Sequence, residues 1–196
     1  MFELVYPYGD APVLPRPSVD TPGVSSDAGV EWLPVTDSSG IVSARATRAY
    51  CHSGSALLHP VVHLHIIDRQ GRITLQKRSR TKDLHPGKWD TAVGGHVSYG
   101  EGILEALYRE TAEELGLTAF NPVYLETYVY EAGGDRELVS VYAAVGEYVL
   151  TPRDGEVEQL RKWTEQEILE AGGKGIMTPN FEQEFQRIRQ KLFAML

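Results

Sequence analysis

The chain has 196 residues, 42% of them hydrophobic, with a single cysteine and a formal net charge of −8. That is enough apolar material for one sizeable core, and the acidic balance argues against general binding to nucleic acid or to anionic membranes, both of which need a basic surface. Cys51, alone, excludes an internal disulfide framework and suits a reducing compartment.

The first segment, residues 1–29, carries Pro7, Pro12, Pro15, Pro17 and Pro22 among Ser, Gly and Asp, so it can be neither helical nor a good sheet partner. It reads as an extended arm. Phe2, Val5, Tyr6 and Tyr8 are apolar enough to dock on the rest of the chain or on a second subunit, which makes a homodimer contact one expectation. MFELVYPYGD lacks a basic n-region and a continuous apolar h-region, and no window is long enough to span a bilayer. The expectation is a soluble, cytoplasmic protein with no membrane partner.

Residues 30–196 read as a single domain. VEWLPVT and IVSARAT flank the turn residues Asp37 to Gly40, and VVHLHIID and RITLQKR flank Arg69 to Gly71, each pair predicting two strands joined by a tight turn. Trp89, between Lys88 and Asp90 in a short strand, suits a core role better than base stacking. A short loop with Gly94 and Gly95 then leads to a helix from about Gly102 to Leu115. Two long strands follow, VYLETYVYE and ELVSVYAAVGEYV, then another near Val157 to Trp163. Helices close the chain: TEQEILEA, and a second from Thr178-Pro179 carrying Phe181, Phe185, Ile188, Leu192 and Met195 at helical spacing. Strands alternating with a few helices predict an α/β domain.

The chemistry is concentrated in GHVSYGEGILEALYRETAEELGL, residues 95–117. At about 100° per residue, Glu110, Glu113 and Glu114 fall beside one another on a flank of the apolar stripe of that helix. Like charges so placed repel, and a hard divalent cation such as Mg²⁺, with Mn²⁺ as a substitute, resolves the conflict. An ordinary solvated acidic face, laced by Glu105–Arg109 and Arg109–Glu113 pairs, would explain the carboxylates alone. It would not explain the glycines. Gly94 and Gly95 stand where backbone must approach closely or take positive φ, and Gly116 stands where a left-handed C-cap is expected.

The spacing from Gly95 through Glu101, Arg109, Glu110, Glu113, Glu114 and Gly116 to Leu117 resembles the signature box of the Nudix hydrolases, metal-dependent enzymes that cleave pyrophosphate linkages. Thr111 is the one departure, at an aliphatic position on the apolar side, where its methyl can pack and its hydroxyl can bond back to the preceding turn. The resemblance implies a Nudix fold, a mixed β-sheet enclosed by helices as an α-β-α sandwich. It also implies that Glu113 and Glu114 are the principal metal ligands, with the Gly95 carbonyl as a further one. Glu110 is then a ligand or the base that deprotonates the attacking water, and Glu137 is the rival base. Arg109 orients carboxylates, and Glu101 supports the loop.

From about Glu31 to Glu147 the chain looks like the Nudix branch that includes isopentenyl-diphosphate isomerase, chiefly through HPGKWD, GGHV and the histidine spacing. The branch implies a second divalent-metal site, to which His52, His59, His96, Asp135 and Glu137 correspond, with Asp135 standing where the isomerases have Glu. The isomerases place a catalytic cysteine two residues before the corresponding histidine, and here that residue is Gly94. Hydrolysis of a nucleoside diphosphate or a derivative of one is therefore the first expectation. An isomerase-like enzyme acting on a prenyl or other organic diphosphate and a non-catalytic Nudix binding module are the alternatives. An RNA-decapping role is opposed by the acidic balance. Arg78, Arg80 and Lys88 are candidate phosphate contacts. His63 and His65 lie on one face of a strand but, with no matching third ligand, read as structural.

Overall fold

The computed structural model describes residues 2–7, 9–14, 30–82, 84–153 and 155–196. Among the described residues the strands are β1 (Val13–Leu14), β2 (Trp32–Thr36), β3 (Val42–Thr47), β4 (Leu58–Ile67), β5 (Ile73–Arg78), β6 (Trp89–Asp90), β7 (Val93–His96), β8 (Val123–Ala132), β9 (Asp135–Val145) and β10 (Val157–Trp163). The helices are α1 (Arg48–Cys51), α2 (Ile103–Leu115), α3 (Glu165–Ala171) and α4 (Pro179–Phe193). Strands β1, β3 and β2 form a three-stranded sheet in that order. The larger sheet runs β10-β5-β4-β9-β8, with β6 on β5 and β7 on β4. The mixed sheet with helices expected from the sequence is present. None of the described helices is long and apolar enough to cross a membrane.

By its contacts the chain divides into two compact units. The first comprises residues 1–61, 96–106 and 127–140. Its β2–β3 hairpin is set by Asp37, whose Oδ1 accepts from Ser39 N at 2.8 Å and Ile41 N at 3.1 Å. Leu33, Val35, Ala44, Ala46 and Cys51 form the core behind it. The described residues of the arm dock on their own chain: Val5 N donates to Gly40 O, Val42 N to Val5 O, and Arg45 N to Pro12 O. The Tyr6 hydroxyl donates to Glu101 O at 3.0 Å and accepts from Gly100 N at 3.1 Å. Tyr8, Pro15, Pro17 and Pro22 lie outside the described residues.

Two elements of this unit depart from the sequence reading: Val13 and Leu14 of the arm, expected to be poor sheet partners, pair in parallel with Arg45 and Ala46 of β3, and a helix follows β3. The stretch after β3 turns into α1, where the Thr47 hydroxyl caps the helix by accepting from Tyr50 N. This single turn buries Cys51 and delivers His52 at its C-terminal end.

The second unit comprises residues 62–95, 107–126 and 141–196. Its core gathers Ile67, Ile73, Leu75, Trp163, Ile168, Met177, Phe181 and Phe185. Trp89 packs edge-on against Trp163 with ring centroids 5.3 Å apart, the core role its position suggested. The two C-terminal helices begin as expected. Thr164 and Glu167 form a reciprocal capping box on α3, and Thr178 caps α4 ahead of Pro179 in its first turn. Gly94 and Gly95 correct the expectation of a loop, because both belong to β7, which pairs with β4. On α2, Leu107, Thr111 and Leu115 are fully buried, and the Thr111 hydroxyl donates to Leu107 O at 2.6 Å. Gly116 follows at φ +66°, the left-handed stop the pattern required.

Candidate active site

The three glutamates of α2 differ sharply in environment. Glu114 is 3% exposed, whereas the Glu113 side chain is 55% exposed and that of Glu110 15%. Glu110 lies directly against Gly95: a Cβ on that glycine would fall on the Glu110 carboxyl group. Any other residue at position 95 would displace the carboxylate, so the first glycine of the box is a requirement of close approach rather than of positive φ. Arg109 Nη1 donates to Glu110 Oε1 at 2.7 Å and to Glu113 Oε2 at 3.2 Å, so it bridges two of the three carboxylates. Glu105, an expected partner of Arg109, instead accepts from Gly102 N at 2.8 Å and helps to start α2. Glu101 steadies the loop by accepting from Ser98 N at 3.0 Å.

Sequence reasoning missed Gln76. It sits on β5, opposite Asp90 of β6 and Leu160 of β10. Its amide nitrogen donates to Glu114 Oε2 at 3.0 Å, and both side chains are buried. The available signal was an amide in a strand, ITLQKR, at an alternate position that faces inward together with Thr74.

In the first unit, His52, His59 and His96 present ring nitrogens that all lie within 4.8 Å of one another. His52 Nε2 and His96 Nε2 are 2.8 Å apart, close enough to share one proton. Asp135 joins the set, with Oδ2 2.5 Å from His52 Nδ1 and Oδ1 3.9 Å from His59 Nε2. The shorter side chain of Asp135 thus reaches the histidines. His59 is fully buried and its Nδ1 is engaged with Leu57 O at 3.0 Å, while Nε2 makes no hydrogen bond. Burial, reinforced by the charge of His52, holds the His59 imidazole below its usual pKa and favours the neutral, ligating form. Glu137, two residues after Asp135 on β9, projects from the same strand face.

His63 and His65 make a different arrangement in the second unit. His63 Nδ1 lies 2.8 Å from Glu184 Oε2 and His65 Nε2 lies 2.6 Å from Glu184 Oε1, with Glu184 and His65 wholly buried. One buried carboxylate from α4 engages both histidines, a partner that their spacing in the sequence did not disclose. Against Gly94, a Cβ would meet the His63 ring at 3.3 Å.

The candidate phosphate cations are dispersed. Arg78 donates to Leu84 O at 3.1 Å and to Asp90 Oδ2 at 3.3 Å, which ties it to its own loop. Arg80 is exposed, with Nε 3.7 Å from Glu158 Oε2. The Lys88 backbone closes the same loop, its N–H donating to His85 O and its carbonyl accepting from Arg78 N.

Residues 57–182 match the NUDIX domain family. An uncharacterised Nudix hydrolase of Yersinia pestis is 38% identical over 90 residues, covering 46% of this chain and 49% of that protein. An isopentenyl-diphosphate Delta-isomerase of Clavibacter sepedonicus is 31% identical over 145 residues, covering 71% of this chain and 76% of the isomerase. In fold, the crystal structure of DR0079 from Deinococcus radiodurans superposes with a TM-score of 0.71 at 20% identity, over 81% of this chain and 99% of that one.

Proposed function

The chain belongs to the Nudix family, and from that premise we propose that it is a metal-dependent hydrolase cleaving the diphosphate linkage of a nucleoside diphosphate or a derivative of one. The observation that carries this reading is the complete carboxylate set of α2, with Glu110 seated on Gly95 and bridged through Arg109 to Glu113. Three carboxylates on one helix flank are a donor set for a hard divalent ion, Mg²⁺ or Mn²⁺. Glu113 and Glu114 would hold it, with the Gly95 carbonyl and Glu110 as further ligands. A bound divalent ion supplies charge neutralisation at the phosphate oxygens and makes water a better nucleophile.

The protein's own groups do the remainder. Arg109 keeps Glu110 and Glu113 from splaying apart under their mutual repulsion. Glu110, the less exposed of the two, is placed to accept the proton of an attacking water, and Glu137 is the rival for that task. Arg80 and Lys88 are cations for the outer phosphates, while Arg78 shapes the loop that carries them. The histidine set fits a second divalent ion of more azaphilic character, Zn²⁺ or Mn²⁺, held by His52, His59 and His96 with Asp135 and Glu137. The buried, unbonded Nε2 of His59 supports that assignment.

Isomerisation is disfavoured on two counts. Gly94 offers no thiol where the isomerases have one. Cys51 cannot substitute, because it is fully buried and burial, with the nearby charge of Asp135, pushes its thiol up to about 11. A panel of nucleotide and organic diphosphates with Mg²⁺ and Mn²⁺, with products identified by phosphorus NMR, tests the reading. Monophosphate and inorganic phosphate products support it. Isomerised prenyl diphosphate without phosphate release would replace it with the isomerase reading, and binding without turnover would leave a non-catalytic module.

A further inference from the structure

We infer that Gln76 is a positioning residue for Glu114, setting the affinity of the α2 carboxylates for their divalent ion; the inference rests on the metal-dependent reading above. Glu114 is the most buried of the three glutamates, and the oxygens of a buried carboxylate need hydrogen-bond donors. Glu110 and Glu113 receive theirs from a cation, Arg109. Glu114 receives one from a neutral amide, Gln76 Nε2, at 3.0 Å.

The difference matters electrostatically. A guanidinium offsets carboxylate charge, whereas an amide orients the carboxylate without adding a charge of its own. Gln76 is itself fixed by β5, which is paired on both sides, with Asp90 of β6 and Leu160 of β10 opposite it. The donor is therefore held by a strand between two neighbours, and Glu114 is held by the donor. An aliphatic residue at position 76 would satisfy the strand and leave the carboxylate without this bond. A carboxylate there would add a fourth negative charge beside Glu114.

Mn²⁺ binding, measured by isothermal titration and by the loss of the free-ion EPR signal with every protein carrying His52→Ala to weaken the histidine set, tests this without reference to turnover. Gln76→Met keeps the length of the side chain and removes the donor; Gln76→Asn keeps the amide and shortens its reach. The expected result for Gln76→Met is Mn²⁺ affinity weakened by about tenfold or more, as for other groups that orient a metal ligand. In turnover assays the Mg²⁺ concentration for half-maximal rate should rise by a similar factor, with the rate at saturating Mg²⁺ within about threefold of wild type, a split that general loosening of the fold would not produce. Should Gln76→Met fail to fold, Gln76→Asn carries the same test, with weakened Mn²⁺ binding as the expected result. Unchanged Mn²⁺ affinity in the variant that folds overturns the role of Gln76 while leaving the metal reading intact. Absence of Mn²⁺ binding with Gln76 in place, or equal binding by Glu114→Gln, overturns both.

Discussion

The molecule contains two groups of histidines, and they are built on opposite principles. His63 and His65 close on Glu184, which gives each of them a carboxylate oxygen in the protein interior. His52, His59 and His96 turn ring nitrogens toward one another, with Asp135 against His52 and His59 Nε2 left without a hydrogen bond. A pair that shares one buried carboxylate between its rings has its counter-charge within the protein, although His65 Nδ1 stays without a hydrogen bond; a set whose ring nitrogens converge has a place for a cation. Histidine spacing alone does not separate the two cases. The position of the carboxylate does.

The largest effect that could break this contrast is on stability. Glu184→Ala leaves two imidazoles in the interior without their acceptor, and the expected loss is about 3–5 kcal/mol in urea unfolding. Burial alone would raise the Glu184 carboxyl, but attraction and hydrogen bonds from His63 and His65 outweigh it and hold the group below the usual carboxylate range. A folded-state pKa lower than the unfolded one means that the stabilisation is fully present above the unfolded value and is lost as pH falls through the folded one. Asp68, bonded to Arg72 and Lys162 and lowered to about 2, adds to the same acid-side loss. The unfolding midpoint of wild type should therefore decline from about pH 4 downward, and Glu184→Gln should flatten that decline. An unaltered acid profile in Glu184→Gln would show that the triad carries no ionic stabilisation.

A smaller effect, on binding rather than folding, sharpens the other side of the contrast. His52→Ala removes one ligand and the partner of Asp135, and Zn²⁺ or Mn²⁺ affinity at this group should fall by about tenfold or more. Apo-protein stability should change by less than about 1 kcal/mol, since His52 is partly exposed and outside the core. A large stability loss with unchanged metal binding would make this group structural too.

The extent to which the sequence disclosed these features follows from how local each one is. The α2 carboxylates, the Gly116 stop, the Pro179 start of α4 and the Thr111 back-bond lie within one helix turn, and their residue types state them directly. Gln76 and Glu114 are 38 residues apart, and His65 and Glu184 are 119 apart, so only the sheet and α4 bring them together. The second histidine set was visible only through resemblance to the isomerase branch, because α1 and β7, which carry His52 and His96, are too short to leave a periodic signal. Gly95 was legible as necessary, but that its neighbour is Glu110 was not.

The most direct test of the account compares wild type with Glu114→Gln in Mg²⁺-dependent release of phosphate products from a diphosphate substrate, with thermal unfolding measured on the same preparations. The account predicts that turnover falls below detection while the unfolding midpoint is preserved. A folded Glu114→Gln protein that turns over at the wild-type rate would contradict it.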